Sequence, residues 1–212
     1  MTRRILRPGP GNYQPLMQVL DFRFITTNDN ADLLKYNCPN AWSRLYEYKL
    51  VEDFLDANCP SDAKIHNSAW GFEGVHITFR NALDNKWDCI HSDIRLNDKN
   101  LPTYMYNVLT KDPKLSEKFD AVLNISTLEH LHRDGEESGP VVQSAITNLL
   151  EQVKPGGFLV CTFDYPRVDL EALEKFLNVK CKTAENILTG ANSKIVNPKY
   201  SHLSVVFLTL RK

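Results

Sequence analysis

Apolar positions along the chain change period more than once, and the changes mark its elements. From Ala41 to Asn58, "AWSRLYEYKLVEDFLDAN", apolar residues recur at helical spacing through Leu45, Tyr48, Val51, Phe54 and Leu55, and Pro60 stops the run. Beyond it, short apolar runs alternate with amphipathic ones. "AKIHNSA", "WDCIHSDI", "PTYMYNVLT", "KFDAVLNIS" and "GFLVCTF" read as strands. "GVHITFRNALDN", "PVVQSAITNLLEQV" and "DLEALEKFLN" read as helices, the last with Asp169 as N-cap. The chain ends on a β-rich run, "HLSVVFLTLRK". Residues 1 to about 40 carry Pro8, Pro10, Pro15 and Pro39 and read as irregular.

Strands that are nearly all apolar and alternate with helices predict an α/β fold. It is a doubly wound, mainly parallel sheet with helices on both faces. The last strand has no helix between it and the chain end, and an antiparallel run is expected for it. In such sheets ligands bind beyond the carboxyl ends of the strands, near the switch point. Segments that follow strands are therefore where chemistry is expected: Asn67 to Gly74, "HSDI" with Asp93, and Asn124 to Gly139.

Composition narrows the classes without choosing one. The 212 residues suffice for one well-buried domain with an appended segment; 42% are apolar, 24% charged, and the net charge is -1. That balance gives no basic field for nucleic acid or an anionic membrane. No run approaches the roughly 18 apolar residues of a membrane span, and no apolar core follows the basic start "MTRRILR". The five cysteines are odd in number, widely spaced and free of any CxxC, which predicts neither a zinc site nor a disulfide framework and fits a reducing cytoplasm. Cys89 and Cys161 read as small core hydrophobes.

Asp93, 28 positions after Ile65, ends the second of these strands, and a carboxylate there can accept two hydrogen bonds from vicinal ribose hydroxyls. An Asp at a strand end is more often an ordinary turn residue. Within "EHLHRDGEE", His130 and His132 suit general-base work near neutral pH. A divalent metal among these histidines and acids, or a solvated loop, are the other readings; the base is favoured over the metal, since no third ligand is in evident reach.

"FDAVLNISTLEHL" with "LLEQVKPGGFLVCTF" resembles the class I S-adenosylmethionine-dependent methyltransferases. Phe119, Asp120, Leu128, Glu129, His130, Lys154, Pro155, Gly156 and Gly157 match that family's later motifs in order, and the similarity runs from about Tyr46 to the C-terminus. The resemblance implies a Rossmann-like methyltransferase fold over residues 41–212, with residues 1–40 an extension able to cover the acceptor site as a lid. It implies S-adenosylmethionine as cofactor, held by Asn67, Ser68, Gly71, Asp93, Asn107 and Asn124, with Tyr46 over the methionine end. His130 is the first choice of base and His132 the second.

The family's first loop reads acidic residue-x-Gly-x-Gly-x-Gly. Here His66 or Asn67 takes the acidic position, Ser68 and Trp70 the first two glycine positions, and Gly71 and Gly74 remain nearby. The cofactor carries no phosphate, so a looser loop can hold it; a vestigial loop on a fold that no longer binds is the alternative. Trp70 and Phe72 read equally as core-edge aromatics or ligand contacts. "NIST" stands where base-methylating members carry Asp/Asn-Pro-Pro-Tyr/Phe. The acceptor is accordingly expected to be a small molecule or a sugar. The rival readings are a non-catalytic binding protein on the same fold and, without a GxGxxG, a dinucleotide or nucleotide-sugar enzyme.

Overall fold

The computed structural model describes residues 17–36, 42–69, 77–95, 104–132 and 137–212. The strands are β1 (Gln18–Phe24), β2 (Lys64–Ser68), β3 (Asp88–Asp93), β4 (Tyr104–Met105), β5 (Phe119–Ile125), β6 (Val153–Tyr165) and β7 (Ser204–Arg211). The helices are α1 (Arg44–Asn58), α2 (Ile77–Asp84), α3 (Ser138–Gln152) and α4 (Leu170–Leu177). All seven strands form one sheet in the order β1-β7-β6-β5-β2-β3-β4. β2 to β6 are parallel to their neighbours, whereas β7 runs antiparallel to both β6 and β1. The doubly wound, mainly parallel sheet and its antiparallel last strand are as the sequence pattern predicts.

Strand alternation explains the two layers. On β6, Phe158 and Val160 face one way and Leu159, Cys161 and Phe163 the other. The first set packs with α1 and α2 through Leu45, Val51, Leu55, Phe79 and Leu83. The second packs with α3 and α4 through Val142, Ile146, Leu149 and Leu173. Asp169 caps α4 as expected, accepting from Ala172 N at 3.0 Å.

The extension requires a correction. Residues 18–24 are not a lid: β1 is the sheet's edge strand, in register with β7 from Gln18↔Arg211 to Phe24↔Val206, and Phe22 and Phe24 are buried. The segment folds there because Phe22 and Phe24 alternate with Asp21 and Arg23, the pattern of a half-buried strand, while an irregularity between Val19 and Asp21 leaves Leu20 exposed and Val19 against the core. Residues 1–16 lie outside the described residues.

Several of the residues matching the later family motifs, Asp120, Lys154, Gly156 and Gly157, hold the sheet together at its amino end. Asp120 accepts from Lys64 N at 2.8 Å and from Lys154 Nζ at 2.8 and 2.9 Å, tying β2, β5 and β6. A Cβ on Gly157 would lie 2.6 Å from the Asp120 carbonyl oxygen, and Gly156 has φ +84°, so both positions need glycine.

Candidate active site

β2 is the first strand of the parallel set; β3 and β4 are laid down on one side of it, β5 and β6 on the other. The switch point therefore lies between the carboxyl ends of β2 and β5. Ser68 and Asn124 are register partners across that junction, and both are fully buried. Ser68 Oγ and both amide atoms of Asn124 have no hydrogen-bond partner. Buried polar groups are nearly always paired, so an unpaired amide beside an unpaired hydroxyl is open to accept or donate to ligand atoms. The chain leaves both strands through positive φ, 53° at Ala69 and 43° at Ser126. Thr127 Oγ1 donates to the Ala69 carbonyl at 3.1 Å and holds the two turns together.

On the α1 face of the same end lies a charged cluster. Arg44 donates to Glu47 and Ser126, and Glu47 accepts from Ser126 Oγ at 2.7 Å and from Thr162 Oγ1. Burial works against the Glu47 carboxylate, but Arg44 and the two hydroxyls outweigh it and hold its pKa below the usual range. Glu129 has no such support. It sits in a 3-10 turn, Leu128–His130, is 4% exposed, and neither carboxylate oxygen has a partner. Burial, followed by the charge of Asp164, pushes its pKa up. Asp164, at the end of β6, is raised by burial and by Glu47, and its Oδ1 is buried without a partner.

The expected site residues divide. Asp93 ends β3, 7% exposed, with Arg95 N 3.4 Å from its Oδ1. Ser68 and Asn124 are as described. Asn67 is buried but committed: its Nδ2 donates to His91 Nδ1 at 3.2 Å, and His91 Nε2 lies 2.7 Å from Asp84 Oδ1. Asn107 is exposed, and its Oδ1 accepts from Leu109 N at 3.0 Å, so its amide closes a turn. Tyr46 is a core residue, 1% exposed, whose hydroxyl accepts from Lys194 N at 3.2 Å. Gly71, with Trp70, Phe72 and Gly74, lies outside the described residues.

His130 is exposed, its Nε2 3.9 Å from Glu129 Oε1. Partial burial, then the cations Arg167 and Arg44, draw its pKa below the ordinary value. His132 is half-buried with Nδ1 unpartnered. Sequence reasoning missed Arg44 and Glu47 on α1 and Thr162 and Asp164 on β6, two pairs far apart in the chain that meet only through the packing of α1 on the sheet.

Among the described residues, one set has metal-ligand donors gathered: Asp84, Cys89 and His91, within 4.8 Å of one another. Both ring nitrogens of His91 are already engaged there, by Asn67 and Asp84. Among the described residues no helix is long and apolar enough to cross a membrane.

No protein-family model matches the chain, and no curated protein matches it in sequence. Solved structures match its fold. The N-methyltransferase NodS from Bradyrhizobium japonicum WM9, in complex with S-adenosyl-L-homocysteine, aligns with TM-score 0.54 and 14% identity over 82% of this chain and 88% of that one. The [4+2]-cyclase SpnF aligns with TM-score 0.54 and 14% identity over 90% and 87%. The CurJ carbon methyltransferase aligns with TM-score 0.54 and 12% identity over 81% of this chain and 55% of that one, so this chain spans about half of that protein's length. The chain has the Rossmann-like fold of the class I S-adenosylmethionine-dependent methyltransferases, as its motifs imply. The same fold carries a cyclase as well as methyltransferases, so the reaction must be read from the site.

Proposed function

We propose that the protein is an S-adenosylmethionine-dependent methyltransferase acting on a small-molecule or saccharide acceptor. The observation that carries this reading is the unpartnered pair Ser68 and Asn124 at the switch point, with Asp93 one strand over. When bound, the cofactor supplies a methyl group on a sulfonium, open to in-line displacement. Asp93 accepts from the ribose hydroxyls. Ser68 and Asn124 offer a donor-acceptor hydroxyl, two amide donors and an amide acceptor to the polar edge of the nucleoside or methionine part. The unpaired acids Glu129, after β5, and Asp164, near the end of β6, support an acceptor on the α1 side. Its proton-accepting group stays within residues 129–132 but moves off His130, which is exposed.

The neighbours support the cofactor assignment, since NodS is described with S-adenosyl-L-homocysteine. The test is calorimetry with S-adenosylmethionine, S-adenosylhomocysteine and NAD in parallel. Binding of the first two and not the third is expected. Binding of NAD alone overturns the reading. Binding of none favours a non-catalytic protein on this fold, the reading that Ser68 and Trp70 at glycine positions would support.

A further inference from the structure

Glu129 and Asp164 are the least satisfied charged groups among the described residues. They sit at the carboxyl ends of neighbouring parallel strands, Glu129 in the turn after β5 and Asp164 within β6; both Glu129 carboxylate oxygens and Asp164 Oδ1 are buried without a donor. Of the described groups around them, all but His132 are engaged or exposed. From α1, Arg44 is held by Glu47 and Ser126, and Glu47 by Ser126 and Thr162. Arg167, just after β6, is exposed, as is His130. His132 is half-buried with Nδ1 unpaired. An ionised carboxylate cannot stay buried without compensation, and two near each other oppose each other's charge. One cation between them relieves both penalties.

We infer that Glu129 and Asp164 form a receptor for an ammonium group, making the acceptor a primary or secondary aliphatic amine whose proton passes to Glu129. This rests on the reading that the adjoining cleft holds S-adenosylmethionine. An ammonium fits better than a metal ion. Among the described residues, Glu129 and Asp164 belong to no group of three donors within 4.8 Å, and the set that does, Asp84, Cys89 and His91, lies by α2 and β3. A primary ammonium directs three N–H donors outward and can satisfy two separated carboxylates together.

The transfer then balances. The ammonium gives one proton to the Glu129 carboxylate, which frees the nitrogen lone pair. That nitrogen forms a bond to the methyl carbon while the carbon–sulfur bond breaks, its electron pair remaining on sulfur as a neutral thioether. The product leaves as an N-methylammonium, and Glu129 returns its proton to water. The upward displacement of the Glu129 pKa makes it a proton acceptor suited to neutral solution.

The test is carbon NMR of protein labelled at the Asp and Glu side-chain carboxyls, saturated with S-adenosylhomocysteine, with calorimetry of that ligand on the same sample. Propylammonium chloride is titrated against 1-propanol at matched ionic strength, and magnesium chloride separately. Glu129→Gln and Asp164→Asn assign the two resonances. Propylammonium is expected to move both toward the ionised position while propanol moves neither. Asp164→Asn is expected to weaken propylammonium binding about tenfold or more, the loss of one hydrogen bond to a charged group. Should that variant not fold, the wild-type comparison of amine with alcohol still decides. Equal shifts with propanol, no shift with propylammonium, or shifts with magnesium alone overturn the inference. Failure of S-adenosylhomocysteine to bind, with the amine shifts intact, removes the cofactor reading and leaves the ammonium site standing.

Discussion

The two ends of one sheet handle polar groups in opposite ways. At the amino end, Asp120 is fully engaged by Lys64 N and Lys154 Nζ. Deeper in, His66 Nδ1 donates to Gln152 Oε1 at 2.6 Å, Nε2 accepts from Ser92 Oγ at 2.7 Å, and Gln152 Nε2 donates to Tyr106 at 2.7 Å. At the carboxyl end, Ser68, Asn124, Glu129, His132 and Asp164 all hold buried atoms with no partner; Thr209 on β7 is a separate case. An unpaired buried polar group costs roughly 1–3 kcal/mol, so five on one rim are a large debt for a domain of ordinary stability. Their concentration at the switch point separates the ligand side from the structural side more sharply than the sequence motifs do. Several motif residues, Asp120, Lys154, Gly156 and Gly157, belong to the structural end.

The strongest test of the comparison is Glu47, a carboxyl-end group that is paired. Glu47→Ala leaves the Arg44 cation buried without its partner, and a loss of about 3–5 kcal/mol in folding stability is expected in chemical denaturation. A loss below about 1 kcal/mol would mean that this cluster does not hold α1 to the sheet.

Next in size is an acid effect from the middle of the sheet. Burial lowers the His66 pKa from 6.5 to about 4, opposed by the Gln152 hydrogen bond. Between those values the unfolded chain binds the proton and the folded chain does not. The contribution is therefore fully present above pH 6.5 and is lost as pH falls toward 4, by about 3 kcal/mol in all. Denaturation across that window should show the slope in wild type and a flatter one in His66→Gln.

Smaller, and specific to the ligand end, is Asp93→Ala. It should weaken S-adenosylhomocysteine binding by about 1.5–3 kcal/mol in calorimetry, the range for hydrogen bonds to a charged group. Unchanged affinity in a folded variant removes Asp93 from the ribose role.

The smallest expected effect is at the amino end. Asp120 and Lys154 side chains are 32% and 39% exposed, so solvent screens their pair. Lys154→Ala should cost at most about 1 kcal/mol of stability and leave S-adenosylhomocysteine affinity as it is. A substantial loss of binding would mean that the two ends are coupled.

Much of the fold was legible because its strands and helices keep clean periods. The parallel core, the antiparallel last strand and the cap at Asp169 all follow local rules. β1 was missed although Phe22 and Phe24 alternate with Asp21 and Arg23 in it, because nearby prolines made the whole segment read as irregular. The site was legible in part. The placement of Ser68, Asp93 and Asn124 at strand ends was reachable because strand ends are predictable from strand pattern. Asn67, Asn107 and Tyr46 were each in the right neighbourhood, but His91, the turn at Leu109 and Lys194 claim their polar atoms. Those partners lie on other elements or in a local turn, and spacing does not show them. Arg44, Glu47 and Asp164 were out of reach for the same reason, since α1 meets β6 only in three dimensions.

The most direct test of the central claim follows the Asn124 side-chain amide by nitrogen–proton NMR as S-adenosylhomocysteine is added. Its Nδ2 protons are buried and unbonded in the free protein. Saturation should shift this amide pair and slow its exchange with water, as ligand atoms take up its empty hydrogen-bonding positions. If S-adenosylhomocysteine binds while the Asn124 amide stays unmoved, the unpaired groups at the switch point are not the cofactor site.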